Sequence, residues 1–434
     1  MNFAVKEIKK KTARIPTSPP GAADAPGAMK KTSRRRKGKS QIPHELKHEG
    51  NRSGSYSDRR ACWSDSEGPP SKLVKYNSEI VGNFTKEGLE GFESVFRIRT
   101  SVVLLIATAE GGYMFCSGTV VDHVGSKTWI LTSAALVRKP GTQLEAYEQG
   151  AIKIEVVLHN QQTVEGSLEM CNLHYNIAIV TIKSSESQIY LPAIALSDLP
   201  DHYSLQPRPV VALGRGFESK AFLMRYGVLV RKSSELDCSE LLICTCDVSL
   251  DFIGGPIMDS EKRFLGISYS YDETTPFLPV EIAARCLKYY KKSKTLPRLR
   301  IRGQALHTLD LYVLESIRCK FVGPPSGILV NKICDSSKEH YGGIEAGDII
   351  SQLDGVNLYS VVQFTILLLD KLEAATGTLN TVTLQAVVQR PEDKTTFVAN
   401  LNVQEIVADE CDKSFQNRWL WSKPIYCPDV SERV

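Results

Sequence analysis

The stretch DFIGGPIMD, residues 251–259, with FLGISYSY close behind at residues 264–271, decides how this chain is to be read. Two adjacent glycines permit a tight turn where a β-carbon would clash, and a following proline presets φ at the entry to an extended segment. The apolar residues on either side then read as β-strands joined through one corner. The residue just ahead of that corner, Ile253, carries no nucleophile.

Outward from the corner, residues 93–292 contain short segments rich in Val, Ile, Leu and Thr: SVVLLIAT, MFCSGTVVD, TWILTSAAL, IKIEVVLH, TVEGSLEM, NIAIVTIK, PVVALGR, MRYGVLVRK, LLICTCDV and RFLGISYS. Gly, Asp, Asn and Ser interrupt them at short intervals. That spacing predicts an all-β barrel or sandwich rather than alternating β/α units. VEIAARCLKYYKK, residues 280–292, has the apolar period of a helix closing this region.

Residues 297–405 follow a different rhythm. SGILVNKI reads as a strand, GGIEAGDIISQLDGVNL as turn–strand–turn–strand, VVQFTILLLDKL (residues 361–372) as an amphipathic helix, and NTVTLQAVVQRPEDKTTFVANLNVQEI as two strands around a polar hairpin. The prediction is a compact α+β module of ordinary domain size. The tail, residues 406–434, includes NRWLWSKP at residues 417–424 and has no clear period.

The chain has 434 residues, of which 42% are hydrophobic and 24% charged, an ordinary globular balance. Its net charge of +4 is uneven: residues 1–60 hold nine Lys and seven Arg against five acidic residues, a net of +11, leaving −7 for the remainder. Residues 1–75 are rich in Pro, Gly, Ser and basic side chains without hydrophobic period, so they are expected to be disordered. Nucleic-acid binding is therefore not expected outside this segment. Its KKTSRRRKGK run, residues 30–39, reads as a solvated tail, a nuclear localisation signal or a nucleic-acid patch. Sparse acidic residues before His44 leave an organellar transit peptide open. No run is long enough for a membrane span and no apolar signal region opens the chain, so no membrane partner is expected. Eleven cysteines without regular spacing read as reduced intracellular thiols. Cys244 and Cys246 lack a second ligand pair nearby, so neither a metal nor another cofactor is expected. Nucleus or cytoplasm is the expected location, with chloroplast or mitochondrion second.

Three of these motifs carry a resemblance. FCSGTVVD…WILTSAALV, YNIAIVTI and DFIGGPIMD…FLGI are similar, in that order, to the three catalytic motifs of the trypsin-like proteases of the Deg/HtrA family. The resemblance covers about residues 93–405. It implies two packed antiparallel six-stranded barrels with a cleft between them, followed by a PDZ domain, and it implies assembly into trimers. The family's histidine, aspartate and serine positions fall on Ala135, Asn176 and Ile253, which are 41 and 77 residues apart.

None of the three can take a proton, orient an imidazole or attack a carbonyl, and losing the serine or the histidine alone costs on the order of a million-fold in turnover. The turn that would supply backbone donors to an oxyanion corresponds to Asp251, Phe252, Gly254 and Gly255, where a carboxylate and apolar packing replace an open polar corner. His123, His159 and His174 lie in the same region. Strand parity would put His174 and Asn176 on one face, and a Cys246–His174 pair is the conceivable rescue. Surface histidines and buried thiols are the simpler account, and Ser117 and Ser249 lack a base.

In the C-terminal module, Gly347, Asp348, Ile349 and Ile350, with Asp354 and Gly355, resemble the PDZ turn–strand–turn. The resemblance implies that Gly327, Ile328, Leu329 and Val330 form the loop and strand edge that take an extended peptide, with Val361 and Phe364 on the facing helix. Gly323, Pro324 and Pro325 sit near the expected carboxylate loop, where proline lacks an N–H donor. Three functions stand. One is a silent protease homologue binding peptides or protein segments or serving as a scaffold; the second is a serine-type endopeptidase of protein quality control; the third is a nuclear adaptor recruited through the basic tail.

Overall fold

The computed structural model describes residues 96–109, 112–139, 141–142, 145–148, 150–185, 190–196, 207–230, 232–270, 274–293, 301–321, 326–333, 341–375, 381–404 and 417–419. The N-terminal segment expected to be disordered, with its basic run, and residues 323–325 lie outside them.

Six strands form the first closed barrel: β1 (Val102–Ala109), β2 (Gly112–Val124), β3 (Lys127–Ser133), β4 (Lys153–Val157), β5 (Thr163–Asn172) and β6 (Ile177–Lys183), in the spatial order β1-β2-β3-β6-β5-β4. Six more form the second: β7 (Pro209–Arg215), β8 (Phe222–Val230), β9 (Leu242–Cys244), β10 (Pro256–Asp259), β11 (Phe264–Ser268) and β12 (Thr275–Pro279), in the order β10-β11-β12-β9-β8-β7. All pairings are antiparallel, as the short even strands require. In β3 and β6 nearly every side chain is buried, because both faces are covered at the barrel junction.

Helix α1 (Val280–Ser293) closes the barrels, packing against β11 and β12. It leads into an antiparallel sheet of β13 (Ile301–Ala305), β14 (Ile328–Ile333), β15 (Ile349–Leu353), β16 (Val356–Asn357), β17 (Thr381–Arg390) and β18 (Thr395–Gln404). The order is β13-β14-β15-β17-β18, with β16 paired to β15. Helices α2 (Leu311–Arg318) and α3 (Val361–Ala375) complete this α+β module.

Each barrel strand named in the sequence is present, although LLICTCDV contributes only three strand residues. Three elements were not anticipated: β12, β13 and α2. Strand β12, TPFLP, carries two prolines that hide a strand signal. Pro276 is tolerated because its carbonyl, not its nitrogen, is used, accepting from the Tyr269 N–H. Strand β13, IRGQA, is short, polar at every second position and interrupted by glycine.

The hydrophobic core has three main parts. One fills the first barrel, including Ala135, Leu136, Ile154 and Val180. A second runs through the second barrel and the inter-barrel junction, from Val102 and Ile177 to Phe252 and Phe277. The third lies under α3 in the α+β module. Each fully buried aliphatic or aromatic side chain contributes about 1.5–3 kcal/mol relative to exposure. Two residues of α3, Val362 and Ile366, belong instead to the barrel core, so this helix is shared between the two units.

Candidate functional site

The corner of residues 251–259 lies where the two barrels meet. Leu250–Phe252 form one turn of 3-10 helix and β10 starts at Pro256. Gly254 has φ +82°, a conformation that disfavours any β-carbon, and a β-carbon there would lie 2.5 Å from the Ser117 carbonyl oxygen. One at Gly255 would lie 2.1 Å from the Leu213 carbonyl oxygen. Both glycines are thus required by contact with the neighbouring strands, independently of any chemistry.

Four successive backbone N–H groups at this corner are spent on protein carbonyls. Phe252 donates to Ser249 (3.1 Å), Ile253 to Leu250 (3.1 Å), Gly254 to Ser268 (2.9 Å) and Gly255 to Phe252 (2.9 Å). The Asp251 carboxylate is also engaged, accepting from the Phe217 N–H at 2.8 Å and the Ser249 hydroxyl at 3.3 Å. Ser117 staples the corner: its hydroxyl donates to the Asp251 carbonyl (2.6 Å) and accepts the Arg215 N–H (2.8 Å). It acts as a structural pin, and no base meets it in these bonds.

The turn of Ala135 and the backbone of Asn176 are neighbours at this junction, and Ile253 packs against the same first-barrel cluster. Ala135 lies in the 3-10 turn Ala134–Val137 that follows β3, capped by Ser133, whose hydroxyl oxygen accepts the Ala135 N–H. That turn is tied to Asn176, because the Ala134 N–H donates to the Asn176 carbonyl at 3.0 Å. The Ile253 side chain packs against the first-barrel cluster that contains Ala135. Its carbonyl accepts the Ser117 N–H at 2.8 Å. Phe252, beside it, is fully buried. An apolar plug therefore sits between the barrels.

Asn176 is buried with φ +53°, a left-handed conformation that Asn tolerates better than most residues. Its side-chain oxygen accepts from the Arg138 guanidinium at 2.9 Å. Burial lowers that guanidinium to about 10. Tyr269 donates its hydroxyl to the carbonyls of Tyr175 (2.9 Å) and Asn176 (3.2 Å), and burial holds this phenol well above its ordinary value.

The parity argument for His174 does not hold: residues 173–176 form a turn, so strand alternation cannot place His174 and Asn176 together. The Cys246 thiol lies 3.4 Å from that of Cys244. That contact, with burial, keeps it protonated. Burial likewise pushes Cys116 and Cys171 up to about 12. None of these is an activated thiolate. His123 is held by the Thr128 hydroxyl and the Leu191 carbonyl. Among the described residues no group of three His, Cys, Asp or Glu is placed to hold a metal ion, and no helix is long and apolar enough to cross a membrane.

In the α+β module, Ile328, Leu329 and Val330 lie in β14, which is hydrogen-bonded on both sides, to β13 and to β15. The expected free edge at Gly327 to Val330 is therefore corrected: β14 is internal, and β13 is the terminal strand beside it. The sequence did not reveal this because β13 lacks a strand pattern. Val361 and Phe364 lie on α3, as expected, but both are buried in the module's core. Gly327 has φ +137° and packs within 2.4 Å of the Ile350 carbonyl oxygen at its would-be β-carbon, which explains the glycine.

A loop of the second barrel touches both β13 and α3. Asp237 pairs with Arg302 of β13. The Thr365 hydroxyl of α3 donates to the Glu240 carboxylate at 3.2 Å. Arg285 of α1 forms a two-pronged ion pair with Asp370 of α3, at 2.6 and 2.8 Å.

Comparison with known proteins accords with this geometry. The trypsin-like peptidase domain family matches residues 116–267. A curated relative, "Putative protease Do-like 14" of Arabidopsis thaliana, is 25% identical over 254 residues, 55% of this chain and 56% of the relative. The chain thus spans about half the length of that relative. The solved structure "HtrA-type protease AlgW with tripeptide" superposes with a TM-score of 0.50 at 16% identity, covering 74% of this chain and 99% of that one. The serine endoprotease from Yersinia pestis gives 0.43 at 17% identity, covering 73% of this chain and 98% of that one.

Proposed function

We propose that this chain is a catalytically silent member of the Deg/HtrA trypsin-like family, whose barrels serve as a scaffold and whose PDZ-like α+β module binds peptides. The carrying observation is Ile253. It stands at the nucleophile position, packs with the Ala135 cluster, and gives its N–H to Leu250. With Ala135 and Asn176 as its companions, the corner has no nucleophile and no base. It also lacks the pair of free N–H groups that acyl transfer needs.

Support for peptide binding comes from the module's topology. Strand β13 ends the sheet beside α3, which suits addition of an extended peptide strand. The HtrA-type protease AlgW, similar in fold, is solved with a tripeptide. In this chain the peptide would enter beside Arg302 and Thr365, so the contacts with Asp237 and Glu240 must open to admit it. The described cysteines are all free thiols, which favours a reducing compartment. Deleting residues 1–60 from a fluorescent fusion tests whether that segment sets the location; an unchanged nuclear signal would remove the import reading.

Labelling of the full chain with a fluorophosphonate probe tests silence. No labelling is expected, and Ile253→Ser alone is expected to leave casein intact because base and orienting group are still missing. Labelling that disappears on replacing one specific residue would restore the endopeptidase reading. A peptide array probed with the full chain tests the second half; no enriched sequence class would remove the binding role.

A further inference from the structure

Residues 417–419 follow the α+β module in sequence, yet they are seated on the barrels. Asn417 and Trp419 are 5% and 2% exposed, while Arg418 between them points to solvent. This in–out–in alternation is that of an extended segment presenting one face. Three hydrogen bonds from this inward face run to His174, 243 positions before Asn417. The Asn417 N–H donates to His174 Nδ1 at 3.3 Å, and the Asn417 side-chain amide donates to the His174 carbonyl at 3.1 Å. The Trp419 indole N–H donates to that same carbonyl at 3.1 Å.

The indole ring lies 4.8 Å from the Tyr269 ring at a 54° tilt, and the His174 ring meets Tyr175 edge-on at 4.7 Å. Tyr269 is in turn anchored by its hydroxyl to the Tyr175 and Asn176 carbonyls. The floor of this slot is therefore bolted to the turn that carries Asn176. A buried tryptophan with its N–H satisfied is the pattern of an anchor residue at an interface.

We propose that His174, Tyr175 and Tyr269 form a recognition slot for an extended Asn-x-Trp segment, and that residues 417–419 of this chain are its resident ligand. The segment covers the barrel junction from the Asn176 side. A peptide approaching that face must displace it, and a peptide carrying Asn and Trp two residues apart is the chemistry best suited to do so. The indole selects against Phe and Tyr, because neither places an N–H donor at the His174 carbonyl.

The test uses the full chain and a fluorescein-labelled peptide with the sequence of residues 413–424. Full-length Trp419→Ala is expected to bind this peptide at least tenfold more tightly than the unaltered chain, whose slot is already filled. The same peptide with alanine in place of its Asn-x-Trp tryptophan is expected to bind neither. Equal affinity for both chains, or no binding by a Trp419→Ala chain that melts like the parent, overturns the proposal. If Trp419→Ala does not fold, Asn417→Ala is read in the same way, with about a threefold gain expected and no gain overturning the proposal. Full-length Trp419→Phe, which keeps a ring and loses the N–H, is expected to admit the peptide almost as readily as Trp419→Ala. Behaviour identical to the parent chain would refute the role of the indole donor.

Discussion

The barrel corner and the edge of the α+β sheet have kept opposite things. At the corner the backbone path is fixed by contact, with Gly254 and Gly255 wedged against Ser117 and Leu213, while Ala135, Asn176 and Ile253 are apolar or neutral. At the sheet edge Arg302 pairs with Asp237 of the barrel, and among the described strands β13 is bonded to β14 alone. Catalysis depends on side chains brought to one point, so the proposed silence rests on Ala135, Asn176 and Ile253 alone. Strand addition depends on main-chain groups, which substitution leaves in place. A protein can therefore lose the first and retain the means for the second.

The sharpest way to break that contrast is to attack the corner's backbone. Gly255→Ala places a β-carbon on the Leu213 carbonyl oxygen, and urea unfolding is expected to show a loss of about 3 kcal/mol or more. A loss below about 1 kcal/mol would mean that the corner is not fixed by contact. Next comes Arg390→Ala in the α+β module. Arg390 grips the buried Asp348 carboxylate with two bonds of 2.8 Å. Removing it leaves that carboxylate held chiefly by the Glu345 N–H, at an expected cost of about 2 kcal/mol, discounted from the usual buried pair because Arg390 is partly exposed.

Smaller still is Arg285→Ala, which cuts the two-pronged link from α1 to α3. It is expected to cost about 0.5–1 kcal/mol and to raise protease sensitivity between the barrels and the module. Unchanged cleavage would show that the shared apolar packing of Val362 and Ile366 suffices. The slightest effect is expected at Glu240. Burial raises its carboxyl above the usual range, although the Cys238, Ser239 and Thr365 donors act against this. The folded chain then holds this proton more tightly than the unfolded one. Its contribution is present at low pH and is lost as pH rises through the folded value. Glu240→Gln should raise the melting midpoint slightly at pH 7 and leave it unchanged at pH 4, as read by calorimetry.

Much of this was legible in the chain. The ten strand segments of the barrels, the closing helix and the hairpin of β17 and β18 follow from apolar period and turn residues. His174 was misplaced because parity was applied to a turn. The peptide edge was assigned to β14 because its Gly-Ile-Leu-Val pattern is strong, whereas the strand outside it, IRGQA, carries almost none.

The sequence by itself determined which residues are extended, which face is buried and which side chains are missing from the corner, because these depend on local geometry and residue chemistry. Only the tertiary structure decided which strand lies outside β14. It also decided that the Ile253 N–H is spent on Leu250, and that His174 receives Asn417 and Trp419. Hydrophobic period reports that a side chain or strand is covered, but it is indifferent to what covers it. The identity of the partner is fixed by packing and hydrogen bonding between segments hundreds of residues apart.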